Sequence, residues 1–382
     1  MTHTYDVIIV GAGPAGLSTA LHLAKIAPHL TANTLVLEKA QHPRQKLCAG
    51  GLTVDAESIL ECLGLDVNEV PHTWAESVHL QFEGRGLNLR PPKRPALRVI
   101  RRDEFDNWLA QKALQQGIEI RENIRVSAIH PGENLVRVET DAGELLARVV
   151  VGADGSNGIV RNFIQPDSPL RTARLLEVLA TPSQDSRHRS DSAYFDFFCV
   201  PNGIAGYTWD FPTQLKGIPM RCWGIFDNNL LAGSHRPPLK SQLDEEMQRH
   251  GYNLADSELK GHPIRWFNPF VQFSVPGVLL TGDAAGSDPL FGEGISIALG
   301  YGKLAAQSIR IGYKNDDLSF QGYRKRILCS SLGQTLIMRT LFAWIIFTFH
   351  WRWFQRLVWQ LLHPFVKLAG WLLIINWGKR LR

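Results

Sequence analysis

Short apolar runs and helically spaced apolar positions alternate through much of the chain. Val7-Ile8-Ile9-Val10 contains no polar residue, as expected of a strand buried on both faces of a parallel sheet. Leu17, Ala20, Leu21 and Ala24 follow at helical spacing, and Thr34-Leu35-Val36-Leu37 reads as a second strand. Residues 77–82 and 86–89 read as paired strands ending in a proline-rich turn, and 105–115 as a helix. Strands are expected again at 148–151 and 276–281, with a strand-rich stretch between them around 207–212 and 220–226. Alternating strands and helices predict an α/β chain with a parallel sheet, interrupted by a strand-rich insertion.

Three glycine motifs sit where these strands end. After the first strand comes Gly11-Ala12-Gly13-Pro14-Ala15-Gly16, the strand–turn–helix context of a dinucleotide fingerprint. Gly11 permits the tight turn, Gly13 lets the backbone approach a pyrophosphate, and Gly16 lets helix pack on sheet. The helix N-terminus then faces the phosphate charge. The second strand ends in Glu38, followed by Lys39, where an acid binds ribose hydroxyls and disfavours a 2′-phosphate. The other two motifs are Gly152-Ala153-Asp154-Gly155 and Gly282-Asp283-Ala284-Ala285-Gly286. Asp154-Gly155 alone would be a turn signal, and Gly292 with Gly294 a flexible loop. In this order the three motifs mark FAD, wrapped by distant segments, with Asp283 placed for the ribityl chain. Gly292, Gly294 and Ile295 then bring backbone amides toward the flavin ring.

On these motifs, and on Arg102-Asp103-Glu104-Phe105-Asp106, which matches an R-x-x-F-D helix start, residues 4–310 resemble the p-hydroxybenzoate-hydroxylase-like FAD superfamily. Within it the chain resembles the geranylgeranyl reductase family. Lys46-Leu47-Cys48-Ala49-Gly50-Gly51-Leu52 looks like that family's cysteine–glycine loop beside the flavin, with Ala49 departing from the commoner C-G-G-G. Tyr207-Thr208-Trp209-Asp210-Phe211-Pro212 looks like its Y-x-W-x-F-P strand along the substrate cavity. The resemblance implies reduction of isolated double bonds in polyprenyl chains of lipids, quinones, pigment precursors or prenyl diphosphates. It places Cys48, Ala49 and Gly50 near the ring and Tyr207 and Trp209 on the opposite wall. Arg44 and Arg102 are candidate partners of the FAD phosphates or ribose.

The expected architecture is a Rossmann-like FAD-binding domain (1–75, 99–165 and 271–316) with a discontinuous β-sheet substrate domain (76–98 and 166–270). A helical, basic and aromatic region, 317–382, follows. The net charge of +5 conceals an asymmetry: ten basic and no acidic residues follow Asp317, leaving the first 317 residues at −5. Six of the eleven tryptophans lie in this tail. Basic residues interleaved with aromatics can bind nucleic acid, but runs such as 341–347 and 371–375 suit a bilayer instead. Neither run makes a clean span of about 20 apolar residues. Thr348, Arg352, Gln355, Arg356 and His363 are expected on one helical face. The expectation is a monotopic anchor on the cytoplasmic face of the membrane, or a helical subdomain packed on the protein's own core, or both.

Five cysteines without C-x-x-C or Cys/His metal spacing exclude an evident metal centre and fit a reducing cytoplasm. The opening apolar run begins too near the first residue for a cleaved signal. An isolated alkene is a poor hydride acceptor, so the flavin's hydride must be matched by a proton source, a dry apolar tunnel and alignment. Cys48, Tyr207 and Trp209 are the candidate catalytic residues: the thiol for positioning or proton relay, the hydroxyl and the indole face along the substrate. Structural readings compete for each: a small residue in a tight turn for Cys48, ordinary sheet packing for the aromatics. The electron donor is expected to be NAD(P)H or reduced ferredoxin. A flavin monooxygenase, a quinone-directed oxidoreductase and a non-enzymatic prenyl carrier are the competing functions.

Overall fold

The computed structural model describes residues 3–166, 172–230, 237–254 and 258–381. Arg382, counted in the basic tail, lies outside the described residues. Parallel pairing centres on the strand Thr4–Val10, flanked by Thr34–Leu37 on one side and Gly143–Gly152 on the other. Pairing on both edges explains why Val7, Ile8 and Ile9 are wholly buried and why that stretch carries no polar side chain. Glu119–Arg121 and Val278–Leu280 extend the parallel array outward. A hairpin of Val126–Pro131 and Val136–Thr140 packs antiparallel against the near half of Gly143–Gly152. The helix Pro14–Ile26 lies against the long helix Ile295–Asn315, where Gly302 permits contact: a Cβ there would stand 2.6 Å from Ser18.

A seven-stranded sheet forms the second layer, in the order Lys260–Arg265, Thr172–Ala180, Ile218–Asp227, Gly206–Leu215, Ser192–Asp196, Ser77–Phe82, Arg85–Leu89. Its neighbours are antiparallel except Ser192–Asp196 with Ser77–Phe82, which run parallel. The two strands near residue 80 thus close one edge of a sheet built mostly from residues after 170. A three-stranded sheet of Gly51–Leu52, His72–Ala75 and Leu97–Ile100 joins this layer to the first.

The tail is helical but broken. Helix Ser331–Thr348 is followed by Arg352–Arg356, Leu357–Leu361, His363–Ala369, Gly370–Ile374 and Trp377–Arg380. The single polar face expected from Thr348 to His363 is not realised, because the chain turns twice within it. Gln355 is wholly buried, and its amide donates to the carbonyls of Ile346 (2.8 Å) and Phe349 (3.1 Å) that the first helix leaves unpaired at its end. Its Oε1 accepts the Trp359 indole N–H at 3.0 Å. Trp359 then stacks on Phe197 of the substrate layer at 4.0 Å, and Trp377 packs where a Cβ on Gly300 would lie 2.8 Å away. Asp55 fastens the far end by accepting the amides of Asn376 (3.1 Å) and Gly378 (2.7 Å).

Candidate active site

The glycine motifs, remote in sequence, touch one another. A Cβ on Gly11, whose φ is +108°, would lie 2.4 Å from the Ala153 carbonyl oxygen of the second motif. A Cβ on Gly282, φ +61°, would lie 2.5 Å from the Ala15 Cβ of the first. Only glycine meets both the backbone angle and the contact. Gly16 is as tight, 1.9 Å from the Gly11 carbonyl, whereas Gly13 borders space: its nearest neighbour is Arg44 Nη2 at 3.6 Å. Glu38 is buried, its carboxylate accepting the amides of Ala12 (2.9 Å) and Ala40 (3.1 Å). Arg44 Nη2 stands 3.4 Å from both Glu38 and Asp106, and Asp106 also takes a two-pronged bond from Arg102 at 2.8 and 2.9 Å. The cradle at Gly13, the helix N-terminus at Pro14 and the buried acid at Glu38 fit a dinucleotide.

Beyond this end the site widens into a cavity of about 940 Å³ between the sheet layer and the tail. Cys48, Ala49, Gly50 and Arg102 line it, with Asp283, Gly292, Gly294 and Ile295. These two loops would hold the flavin ring. Gly50 (φ +80°) turns against Ile100, and its amide donates to Cys48 Sγ at 3.4 Å. Gly292 (φ +60°) sits where a Cβ would be 3.1 Å from the Phe226 ring. Across the cavity the sheet presents Tyr207, Trp209, Phe211, Phe226 and Phe195. Such a wall excludes water and offers π-faces to a cation-like centre. The Tyr207 hydroxyl donates to the Phe291 carbonyl, fixing the loop that carries Gly292.

Two titratable residues break this apolar face. Glu177, on Thr172–Ala180, lines the cavity at 8% exposure, and its Oε2 has no hydrogen-bond partner among the described residues. Burial pushes its carboxyl up to about 7, opposed by the Cys48 amide and the charges of Arg101, Lys260 and Arg102. His262, on the neighbouring strand, is pushed down to about 4 by burial and by Lys46, whose Nζ lies 2.9 Å from its Nε2. Burial also pushes the Cys48 thiol up. Within the cavity, then, the carboxyl of Glu177 changes protonation near neutrality while the thiol stays protonated.

Of the residues singled out in the sequence, Cys48, Tyr207 and Trp209 do share one cavity with the two flavin-facing loops. Lys39 is exposed. Asp154 caps the helix Ile159–Ile164 with Oδ2, which accepts the Val160 amide at 2.9 Å. Gly158 leaves room for its carboxyl, whose buried Oδ1 has no hydrogen-bond partner among the described residues. Gly155, at φ +85°, borders open space and permits the turn. Sequence reasoning missed Glu177, although a lone acid within Leu175-Leu176-Glu177-Val178-Leu179 was the available signal. It also missed Arg339, which reaches from the tail to the flavin-facing loop: Nη1 donates to Asp288 (2.7 Å) and Glu293 (2.5 Å), and Nη2 to the Ile374 carbonyl (3.1 Å).

Comparison with known proteins agrees with this geometry. Residues 4–295 match the family model described as FAD binding domain. An uncharacterised protein of Methanosarcina barkeri is 30% identical over 327 residues, covering 84% of this chain and 79% of its own. A digeranylgeranylglycerophospholipid reductase of Methanosarcina acetivorans is 26% identical over 341 residues, covering 84% and 79%. Among solved structures, a geranylgeranyl bacteriochlorophyll reductase-like protein of Thermoplasma acidophilum superposes with a TM-score of 0.74, at 23% identity, covering 90% of this chain and 88% of that one. FAD is the cofactor that the three converging motifs are built to hold. The chain belongs to the FAD binding domain family, and the relatives it is similar to include flavoproteins of the geranylgeranyl reductase type.

Proposed function

We propose that this protein saturates isolated carbon–carbon double bonds of a polyprenyl chain carried by a lipid-like molecule. The observation that carries the reading is the large, mainly apolar cavity itself, about 940 Å³, whose aromatic wall faces the loops Cys48–Gly50 and Gly292–Gly294. When bound and reduced, the flavin supplies the hydride. The protein's own residues do the rest. Phe195, Trp209, Phe211 and Phe226 exclude water and hold the alkene in register with the ring. Tyr207, with its hydroxyl engaged by Phe291, positions the flavin-facing loop. Glu177, protonated below about 7, is the acid able to give a proton to the alkene. Cys48, whose thiol accepts from Gly50, shapes the loop beside the ring.

We further infer that the protein works at the cytoplasmic face of a membrane as a peripheral protein. The basic, acid-free sequence after Asp317 supports this, as do its exposed aromatics, Trp344, Trp351, Trp353 and Trp371 among them.

The test is mass spectrometry of lipid and quinone extracts from cells with and without the protein. The expected result is prenyl species heavier by two hydrogens per reduced bond, absent when Gly13 or Glu177 is substituted. Substrate-coupled oxygen consumption with no saturated prenyl species would instead favour a monooxygenase.

A further inference from the structure

Six large apolar residues of the tail line the cavity and are also more than a third exposed: Ile345, Leu362, Phe365, Leu368, Trp371 and Ile375. Pro364 and Lys367 of the tail and Pro91 of the substrate layer are exposed lining residues as well. They form the rim of the cavity's mouth. The apolar surface does not stop at the rim, because Leu341 and Trp344 continue it along the helix Ser331–Thr348, Leu361 at the end of the segment 352–361 and Leu372 within the segment 363–380. A continuous patch of this kind, centred on an opening, marks an interaction surface.

We propose that this rim is immersed in the acyl region of a lipid bilayer, so that the prenyl chain passes from membrane to flavin without crossing water. The proposal rests on the reductase reading for what passes through the mouth, but not for what the mouth sits in. Three observations choose the bilayer over a protein. A protein partner or a second copy covering the patch would seal the cavity, whereas fluid lipid covers the rim and still lets a chain through. The charged residue on the rim is Lys367, exposed and without an ion pair among the described residues, in a tail that contains no acid to receive a second copy's basic groups. A lysine among apolar side chains keeps its stem in the acyl layer and its ammonium at the headgroups. Finally, the helix Ser331–Thr348 is long and apolar enough to cross a membrane, but 44% of it is buried against the rest of the protein. The arms 352–361 and 363–380 meet at 73°, and this arrangement favours lying in the interface over crossing it. Elements that lie in the interface plane sink roughly 5–10 Å, to the headgroup–acyl boundary.

The experiment uses full-length, FAD-loaded protein with vesicles of phosphatidylcholine and phosphatidylglycerol, dithionite under anaerobic conditions as the reductant of the flavin, and geranylgeraniol as probe substrate, either embedded in the vesicles or dispersed in detergent. The variant Leu341→Glu with Trp344→Glu alters the patch but not the cavity lining. Ile218→Glu, at an exposed hairpin of the substrate sheet, controls for loss of any exposed apolar residue. The expected result is flotation of the wild type and the control with vesicles, and quenching of tryptophan fluorescence by acyl-brominated lipid. The double variant should lose both, with turnover of embedded probe down at least tenfold and of dispersed probe retained. Flotation unchanged in the double variant, or lost equally in the control, overturns the proposal. So does a stable dimer that buries the rim. If wild type floats and is quenched but reduces neither form of the probe, the immersed rim stands and the reductase reading falls.

Discussion

Arg339 Nη1 lies 2.7 Å from Asp288 Oδ2, and this bond joins the C-terminal tail to the loop that faces the flavin. Both side chains are buried, and Asp288 also accepts the amides of Leu290 (2.8 Å) and Phe291 (3.2 Å). One carboxylate therefore shapes the loop while the guanidinium beside it offsets its charge. Arg339→Ala strands the carboxylates of Asp288 and Glu293 in the interior, which costs about 3–5 kcal/mol. Denaturant unfolding should show that loss together with a lowered flavin content. Wild-type stability in Arg339→Ala would mean that the tail docks without this contact.

Gly13→Ala separates cofactor binding from folding. Gly13 has φ −88°, which alanine adopts freely, and a Cβ there meets only Arg44 at ordinary contact distance. Thermal stability without FAD should stay within about 0.5–1 kcal/mol of wild type. FAD affinity, followed by flavin fluorescence, should fall at least about tenfold, because the methyl occupies the approach of the pyrophosphate. Gly16→Ala is the contrast: its Cβ would meet the Gly11 carbonyl at 1.9 Å, so folding itself should suffer.

Glu177 gives the protein a pH dependence with a definite sign. Its carboxyl is raised from 4.5 to about 7 in the folded state, so folding takes up a proton between those values. That contribution to stability is complete below about 4.5 and is lost as pH rises through about 7. Glu177→Gln should flatten that part of the stability profile. It should also lower the prenyl reduction rate by about 10²–10⁴-fold and remove a wild-type fall in rate above about pH 7. A wild-type pH–rate profile surviving in Glu177→Gln would assign the proton to another group.

Trp359 and Trp353 are both tail tryptophans with opposite fates. Trp359 is 1% exposed, against Phe197, whereas Trp353 is 61% exposed. Trp359→Ala should cost about 3–5 kcal/mol in chemical denaturation. Trp353→Ala should change stability by less than about 0.5 kcal/mol. Equal effects would contradict a tail that forms one wall of the cavity.

The nucleotide end was the most legible part of the molecule. Strand, glycine turn and helix follow within sixteen residues, and the positive φ of Gly11 is a local demand visible as a residue type. The aromatic strand Gly206–Leu215 was likewise recognisable, since Tyr207, Trp209 and Phe211 alternate onto one face. Asp154 was less legible because an aspartate before glycine serves a cofactor, a turn or a helix cap equally well. The choice depends on where the helix Ile159–Ile164 starts. The tail misled: Gln355 reads as a polar surface residue until the helix before it ends and leaves carbonyls to satisfy.

By itself the sequence determined the glycine turns, the alternating strands, the helices that follow them and, through these, the cofactor. Each is a property of a few neighbouring residues, set by backbone sterics and by the period of apolar side chains. The tertiary structure decided which titratable group faces the cavity, what Arg339 neutralises and where the mouth opens. Glu177 is raised toward neutrality because an apolar layer from other strands and a distant cysteine loop enclose it, and the rim exists because two arms of the tail meet around a sheet they do not adjoin in sequence. Desolvation and charge pairing depend on neighbours in space, and only the fold supplies those.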